Sequence, residues 1–288
     1  MNYRHAFHAG NFADVLKHVV LARILTHLKQ KDAPFRVIDT HAGVGLYDLE
    51  ADEARRTGEW RDGVGLLAGQ EAAAPATGAI ADLLAPWRSV VDGLMAQQPP
   101  LYPGSPWLSA ELTRAQDHLV FCEKHPEDAR LLRQNFGGSR RVKVIEGDAW
   151  ALLPGLLPPP ERRGLVFIDP AFEQENEFRT IAENVGRALQ RWATGVYAIW
   201  YPLKGLREAD GFARRMAALP AARALRFEIS RYAVQRIDRL NGCGMIILNP
   251  PWRLDEELRE IGAHLARLFA REGEGVLRLD WIRQEADR

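Results

Sequence analysis

Apolar residues recur at helical spacing through residues 11–30, NFADVLKHVVLARILTHLKQ, where Val15, Leu16, Val19, Val20, Ile24, Leu25 and Leu28 share one face of an amphipathic helix. Asn11 is its cap, and Asp14 puts negative charge in the first turn, where it suits the helix dipole. The period then changes. FRVI (35–38) is an apolar run ending at Asp39, and Gly43 and Gly45 follow, a strand end and a sharp turn that lets a ligand approach the backbone. Residues 50–104 have another texture, rich in Ala, Gly and Arg and closed by Pro99, Pro100, Pro103 and Pro106. Segments 60–72 and 78–97 read as helices there, and no strand pattern is visible.

The strand rhythm resumes with LVFCEKHP (119–126), RVKVIEGDA (141–149), GLVFIDPAF (164–172) and GVYAIWYPL (195–203). Helices are expected at 176–192, 207–218 and 254–271, and a last strand at 275–282. Alternating strands and helices predict a mostly parallel sheet covered on both faces. LRFEISRYAV (225–234) and GCGMIILNPPW (242–252) leave no room between them for a crossover helix, so they predict an antiparallel hairpin. A parallel sheet finished this way is how the S-adenosylmethionine-dependent methyltransferase fold ends.

Composition adds bounds. The chain has 288 residues, nearly half of them apolar, enough for one large domain or a domain with an insertion. Its formal net charge is zero, so strong non-specific polyanion binding is not expected, and RNA contact would have to come from local patches. Cys122 and Cys243 lie in apolar runs and read as buried core thiols. No apolar run approaches the roughly 18 residues that span a bilayer, and MNYRHAFHAG lacks the apolar centre of a signal peptide, so a cytoplasmic protein is expected.

The strand ends carry the candidate chemistry. Asp39, His41, Gly43, Glu123, Asp148 and Asp169 stand where a doubly wound sheet binds its ligand. Four acids on one rim disfavour a phosphate-rich ligand and favour a cationic one with a ribose. The positive methionine end of a sulfonium cofactor would lie near Asp39, its ribose hydroxyls at Glu123 and its adenine near Asp148. Each signal alone is weak, and the ordered set is stronger. The acid that binds a ribose usually lies about 20 residues past the glycine turn. Here Gly43 and Glu123 are 80 apart, which fits 50–104 being an inserted helical subdomain between methyltransferase segments 1–49 and 105–288.

YRHAFHAGNFADVLKH, DTHAGVG, YPGSP, EKHP, ATGVYAIWYP and GMIILNPPW together resemble the RlmJ family, bacterial methyltransferases acting on the N6 amine of one adenine in 23S ribosomal RNA. The resemblance runs from near residue 2 to about residue 282. It implies a class I S-adenosylmethionine-dependent methyltransferase, Rossmann-like, with a seven-stranded sheet, a terminal hairpin and a helical insertion. It also implies S-adenosyl-L-methionine as cofactor and protein-free 23S ribosomal RNA as substrate, at adenine-2030 in that RNA. It implies cofactor contacts at His18, His41, Ser105, Glu123, Asp148 and Ala149, with Lys17 beside them. It implies Asp169 as the catalytic acid and Tyr3 in substrate engagement.

Two cassettes compete for the chemistry, DPAF at 169–172 and NPPW at 249–252. The second is the better letter match. The first follows the fourth strand in order, beside the expected methyl, so Asp169, the Pro170 carbonyl and a stacking Phe172 are expected to hold the adenine amine, and NPPW is expected to end a strand with Trp252 packed on the domain. Ala171 replaces the usual second proline and should loosen the turn. Stacking of a base on an aromatic ring contributes ~1–3 kcal/mol, and the target must leave its stack to enter. Arg4 and His5, then Arg231, Arg236 and Arg239, are the first-ranked RNA patches, ahead of Arg55, Arg56 and Arg61 and of Arg162 and Arg163. His5, His8, His18 and His41 lack metal-ligand spacing, and no metal is expected. A monomer is expected. A DNA or small-molecule amine as acceptor, and a catalytically decayed RNA-binding protein, remain open. A nicotinamide oxidoreductase is disfavoured because the full Gly-x-Gly-x-x-Gly run is missing.

Overall fold

The computed structural model describes residues 4–67, 76, 78–232, 240–271 and 273–284. These form one eight-stranded sheet in the order β10-β8-β9-β7-β6-β1-β4-β5. The strands are β1 (Arg36–Asp39), β4 (His118–Glu123), β5 (Val142–Glu146), β6 (Gly164–Ile168), β7 (Val196–Leu203), β8 (Ala224–Ser230), β9 (Gly242–Leu248) and β10 (Val276–Arg283). The five from β5 to β7 in space pair in parallel. β9 lies antiparallel between β7 and β8, so β8 again runs with the parallel set. This is the expected class I methyltransferase arrangement with one correction: β10 adds an eighth, antiparallel edge strand beside β8. A second ladder, β2 (Leu46–Asp48) with β3 (Leu101–Pro103), joins the two sides of the 50–104 segment. Neither was visible as a strand, because three residues are too few to show a period.

Helix α1 (Phe12–Lys29) forms where expected, with the Asn11 side chain accepting from Asp14 N–H at 2.9 Å. It is not a surface helix with one buried face. Every residue from Phe12 to Leu25 is buried, because α3 (Gly78–Met95), α4 (Ser105–Leu112) and α9 (Leu254–Phe269) pack around it against the sheet. A helix buried all round should be apolar all round. The buried Asp14, Lys17, His18 and Arg23 break that rule, so each must be partnered. Arg23 is: its guanidinium makes a bidentate pair with Glu257 at 2.9 and 2.8 Å.

The sheet separates two apolar layers. Val37 of β1 belongs to the apolar layer that holds α1, α4 and α9, and its neighbour Ile38 belongs to the other layer. Leu132 of α5 (Pro126–Phe136) belongs to the first layer. In the second lie α6 (Ala149–Leu156), α7 (Glu177–Arg191) and α8 (Leu206–Ala217). Leu84, Trp87 and Val91 of α3 belong to the same cluster as Leu16 and Val20 of α1, so this part of 50–104 shares the central core. Glu59–Asp62 is a 3-10 turn, and α2 (Asp52–Thr57) precedes it. Cys122 and Cys243 are buried free thiols. No helix among the described residues is long and apolar enough to cross a membrane.

The strand directions separate the two cassettes. Asp39 pairs with Phe121 and Phe167, so the ends of β1, β4 and β6 align on one rim. Leu248 of β9 pairs with Tyr197 at the start of β7, so Asn249 sits at the opposite end. There Asn249, in a left-handed conformation (φ +50°), donates to the carbonyls of Ala193 and Gly195 at 2.8 and 2.9 Å and accepts from Ala222 N–H at 3.0 Å. It ties three loops together. Trp252 does not pack on the domain as expected; it is 75% exposed. Asn249→Ala removes three hydrogen bonds and leaves a Cβ-bearing residue at positive φ without Asn's local compensation. We expect a loss of ~2–3 kcal/mol in urea unfolding; an unaltered unfolding midpoint would refute the pinning role.

Candidate active site

The aligned strand ends build one wall of a cavity. Past Asp39 the chain turns through Gly43 (φ +61°) and Gly45 (φ +86°). A Cβ on Gly43 would meet the Tyr47 hydroxyl at 2.2 Å, so this turn excludes any side chain. Glu123, closing β4, accepts from Gly43 N–H at 2.8 Å through one carboxylate oxygen and from His125 N–H at 2.7 Å through the other. Asp148 caps α6, accepting from Trp150 N–H at 2.9 Å, and also takes the Lys124 ammonium at 2.8 Å. The Thr40 hydroxyl lies 3.0 Å from the Phe167 carbonyl and 2.8 Å from His41 Nδ1.

The opposite wall comes from α1. Lys17 and His18 face the rim one turn after Asp14. The Lys17 ammonium is ion-paired with Asp169 just past β6, and with Asp14 at 2.6 Å. Asp14 also accepts from Gly10 N–H at 2.8 Å and bonds His5 Nε2 at 3.0 Å. His18 Nδ1 lies 3.0 Å from the Tyr102 hydroxyl, with the rings stacked.

Burial and charge set the protonation states. Burial pushes Asp39 up to about 7, against the opposing pull of the Ser105 hydroxyl and the nearby Lys17. Burial drives His18 down to about 3 and His41 down to about 4, so both are neutral imidazoles. Burial also raises Glu123. Against burial, the His5 and Lys17 charges hold Asp14 well below the carboxylate range. Glu123, Asp128, Asp148, Asp169, Glu173 and Glu177 line the cavity against two lysines, both already paired with acids. Behind them, Asp39 Oδ2 is buried without a hydrogen-bond partner. A wall of this charge suits a cationic ligand with hydroxyl and amine donors, and the residues present fit a sulfonium nucleoside.

Of the residues expected from the sequence, Lys17, His18, His41, Gly43, Ser105, Glu123, Asp148, Ala149, Asp169 and Pro170 line this one cavity, and so does His5. Asp39 stands behind its wall, fully buried. Phe172 does not line it. Its backbone is left-handed (φ +52°), and its ring packs edge-on against Phe178 and Trp200 at 5.0 and 5.7 Å. Arg4 is bonded to Asp128 at 3.3 Å and near Glu53 and Glu127. Arg163 serves the far end of the sheet, donating to the Leu28 and Ala33 carbonyls. Tyr3, Arg236 and Arg239 lie outside the described residues. Tyr47, Lys124, Trp150, Glu173, Gln174, Glu177 and Thr180 line the cavity without having been singled out. Lys124 and Trp150 adjoin Glu123 and Asp148 closely enough to have been suspected; no sequence signal marks Tyr47. Asp14, read as a dipole-complementing acid, is the buried partner of Lys17 and His5. Among the described residues, no group of His, Cys, Asp and Glu could hold a metal ion.

A family model described as "Ribosomal RNA large subunit methyltransferase D, RlmJ" matches residues 32–283. The chain is 35% identical to Ribosomal RNA large subunit methyltransferase J of Haemophilus influenzae over 287 residues, covering 99% of this chain and 100% of that one. It is also 35% identical to the protein of the same name from Escherichia coli over 286 residues, 98% and 99% of the two chains. The crystal structure of protein LPL1258 from Legionella pneumophila superposes with a TM-score of 0.85 at 31% identity, over 95% of this chain and 98% of that one.

Asp39 carries a stability signature. Its folded value of about 7 lies above the ordinary 3.8, so the folded chain binds this proton more tightly than the unfolded chain. Folding stability therefore falls as pH rises from about 4 to about 7, and the whole penalty is present above that. Asp39→Asn should melt above the parent at pH 8, the two converging near pH 4. A variant that melts below the parent at pH 8 would contradict this.

Proposed function

Because the chain belongs to the RlmJ family of large-subunit ribosomal RNA methyltransferases, we propose that its rim cavity brings S-adenosyl-L-methionine and an extruded adenine of 23S ribosomal RNA together on Asp169 for methylation at N6. The observation that carries the reading is the position of Asp169. It lies on the wall of the acid-lined cavity, tied by Lys17 to α1 on the opposite side. S-adenosylmethionine supplies an electrophilic methyl group on a cationic sulfur. Glu123 and Asp148, on the wall, would hold the ribose hydroxyls and the adenine amine of that group, and Asp39 would answer its cation from behind the wall. His18, His41, Ser105 and Ala149 would complete the contacts.

An adenine amine is a weak nucleophile, because its lone pair is delocalised into the ring. Asp169 and the Pro170 carbonyl each accept one amine hydrogen, which favours a pyramidal nitrogen and stabilises the positive charge that develops on it. Lys17 holds Asp169 Oδ2, which directs Oδ1 to the amine. The proton leaves afterwards to Asp169 or to water. Most of the acceleration comes from positioning. Phe172 braces the turn from behind through Phe178 and Trp200; to stack on the base its ring has to leave that packing. By the family resemblance Tyr3 engages the substrate, next in sequence to Arg4 and to His5, which lines the cavity. The protein acts as a monomer, in the cytoplasm, where its RNA substrate lies. The target is adenine-2030, as in the family.

Asp169→Ala should lower methyl transfer to deproteinised 23S ribosomal RNA by at least ~100-fold, with S-adenosylmethionine affinity by calorimetry within a few-fold of the parent. Retained transfer would remove Asp169 from the reaction. Tritium from labelled cofactor should map to a single adenine in RNA from cells lacking this protein.

A further inference from the structure

A second cavity, of about 370 Å³, is lined by the first turn of α1, the Glu59–Asp62 turn and the start of the β8–β9 connection. The reaction at Asp169 uses none of it, and its size suits a small polar ligand or part of a larger one. β8 runs with the parallel strands, so Arg231, the residue after Ser230, emerges on the same rim as Asp39, Glu123 and Asp169. Resting on the reading of the chain as an RNA methyltransferase, we propose that Arg231, on the wall of this cavity, and Arg271, which adjoins it through Asp62, bind a backbone phosphate of the substrate RNA, and that Asp62 holds the phosphate's place until RNA arrives.

Arg231 is built in as a fixed cation. Its guanidinium lies on the Phe12 ring at 4.5 Å, and Nε donates to the Phe269 carbonyl at 3.2 Å. Its Nη2 is buried without a hydrogen-bond partner, a costly condition for a charged donor unless a ligand answers it. Arg271 is fastened beside it, its backbone N–H donating to the Arg231 carbonyl at 2.8 Å. Burial and the Arg271 charge both press on Arg231, so the pair calls for an anion. The anion present is Asp62, ion-paired with Arg271 but 3.9 Å from Arg231 Nη2, too far to satisfy that donor. Glu59, the other acid lining the cavity, is committed to His8 and Asn11 at 3.0 and 2.9 Å.

A phosphate fits better than the carboxylate does. It presents several acceptor oxygens to two guanidinium forks at once, and Phe12 and Tyr232 give the cavity aromatic walls suited to the attached nucleoside. Asn11, in this cavity, and Lys17, in the other, are six residues apart along α1, about 9 Å of helix rise, so one RNA strand can cross both sites.

The test uses the full-length enzyme and a deproteinised 23S ribosomal RNA fragment carrying the target adenine, with binding read by fluorescence anisotropy across a salt series. Arg271 and Asp62 are partly exposed, 31% and 58%, so Arg271→Gln and Asp62→Asn leave the core intact. Arg271→Gln should weaken RNA binding by roughly ten-fold near 0.1 M salt and flatten the salt slope by about one phosphate contact, with cofactor affinity unchanged. Asp62→Asn should tighten RNA binding several-fold by removing the competing carboxylate. If the parent methylates the RNA but Arg271→Gln keeps the parent affinity and slope, or Asp62→Asn binds no tighter, this site alone is wrong. If the parent transfers no methyl group to any RNA, the enzyme reading fails and this site falls with it.

Discussion

The structure depends on one buried cation, Lys17. Its side chain is 5% exposed, inside a helix surrounded by apolar neighbours, and a lysine survives there only when its charge is answered. Asp14 answers it from within α1 and Asp169 from the end of β6. Asp14 in turn gathers His5 and the Gly10 N–H. The central helix, the sheet edge and the N-terminal segment thus meet in a chain of ion pairs and hydrogen bonds. Breaking a buried pair by removing one partner costs about 3–5 kcal/mol. The pairs that aim the proposed catalytic acid are therefore also pairs that hold the fold together, and the site cannot loosen without loosening α1.

A second consequence follows from sheet geometry. Parallel strands bring their carboxyl ends to one rim, so acids far apart in sequence become neighbours. Asp39 and Asp169 follow adjacent strands, and Glu123 reaches back to hold the glycine turn from β4. A chain of zero net charge can then carry a strongly anionic wall, because its charges are sorted by strand direction. Arg231 of the second cavity and the adjoining Arg271 are sorted likewise, by the direction of β8 and the return of α9. Overall charge says little about such a protein's affinity for RNA; the placement of a few cations on one rim says more.

The same geometry explains why two similar tetrapeptides differ in use. DPAF follows a strand parallel to β1 and opens on the cavity. NPPW follows β9, antiparallel to β7, and opens on the far end, where Asn249 serves as a three-way pin. Letter similarity to a catalytic motif carries no weight until the strand's direction is known.

Much of this was legible in the chain itself. Period, length and breaker residues marked α1, the parallel strands and the late hairpin, because those elements are long enough to show a repeat and are flanked by Gly or Pro. The strand-end acids stood out because a charge that closes an apolar run contributes nothing to the packing of that run. Three-residue β2 and β3 showed no period, and β10 as the sheet's eighth strand could not be read because edge pairing depends on what lies beside it. Local sequence also could not tell that α1 is buried on every side, that Asp14 answers Lys17, that Phe172 turns away to Phe178, or that Trp252 stays exposed. Periodicity is a property of neighbouring residues, so the chain alone determined its elements and the side chains that end them. Which buried charge meets which partner is a contact between residues such as Lys17 and Asp169, 152 positions apart, and only the packed structure decided it.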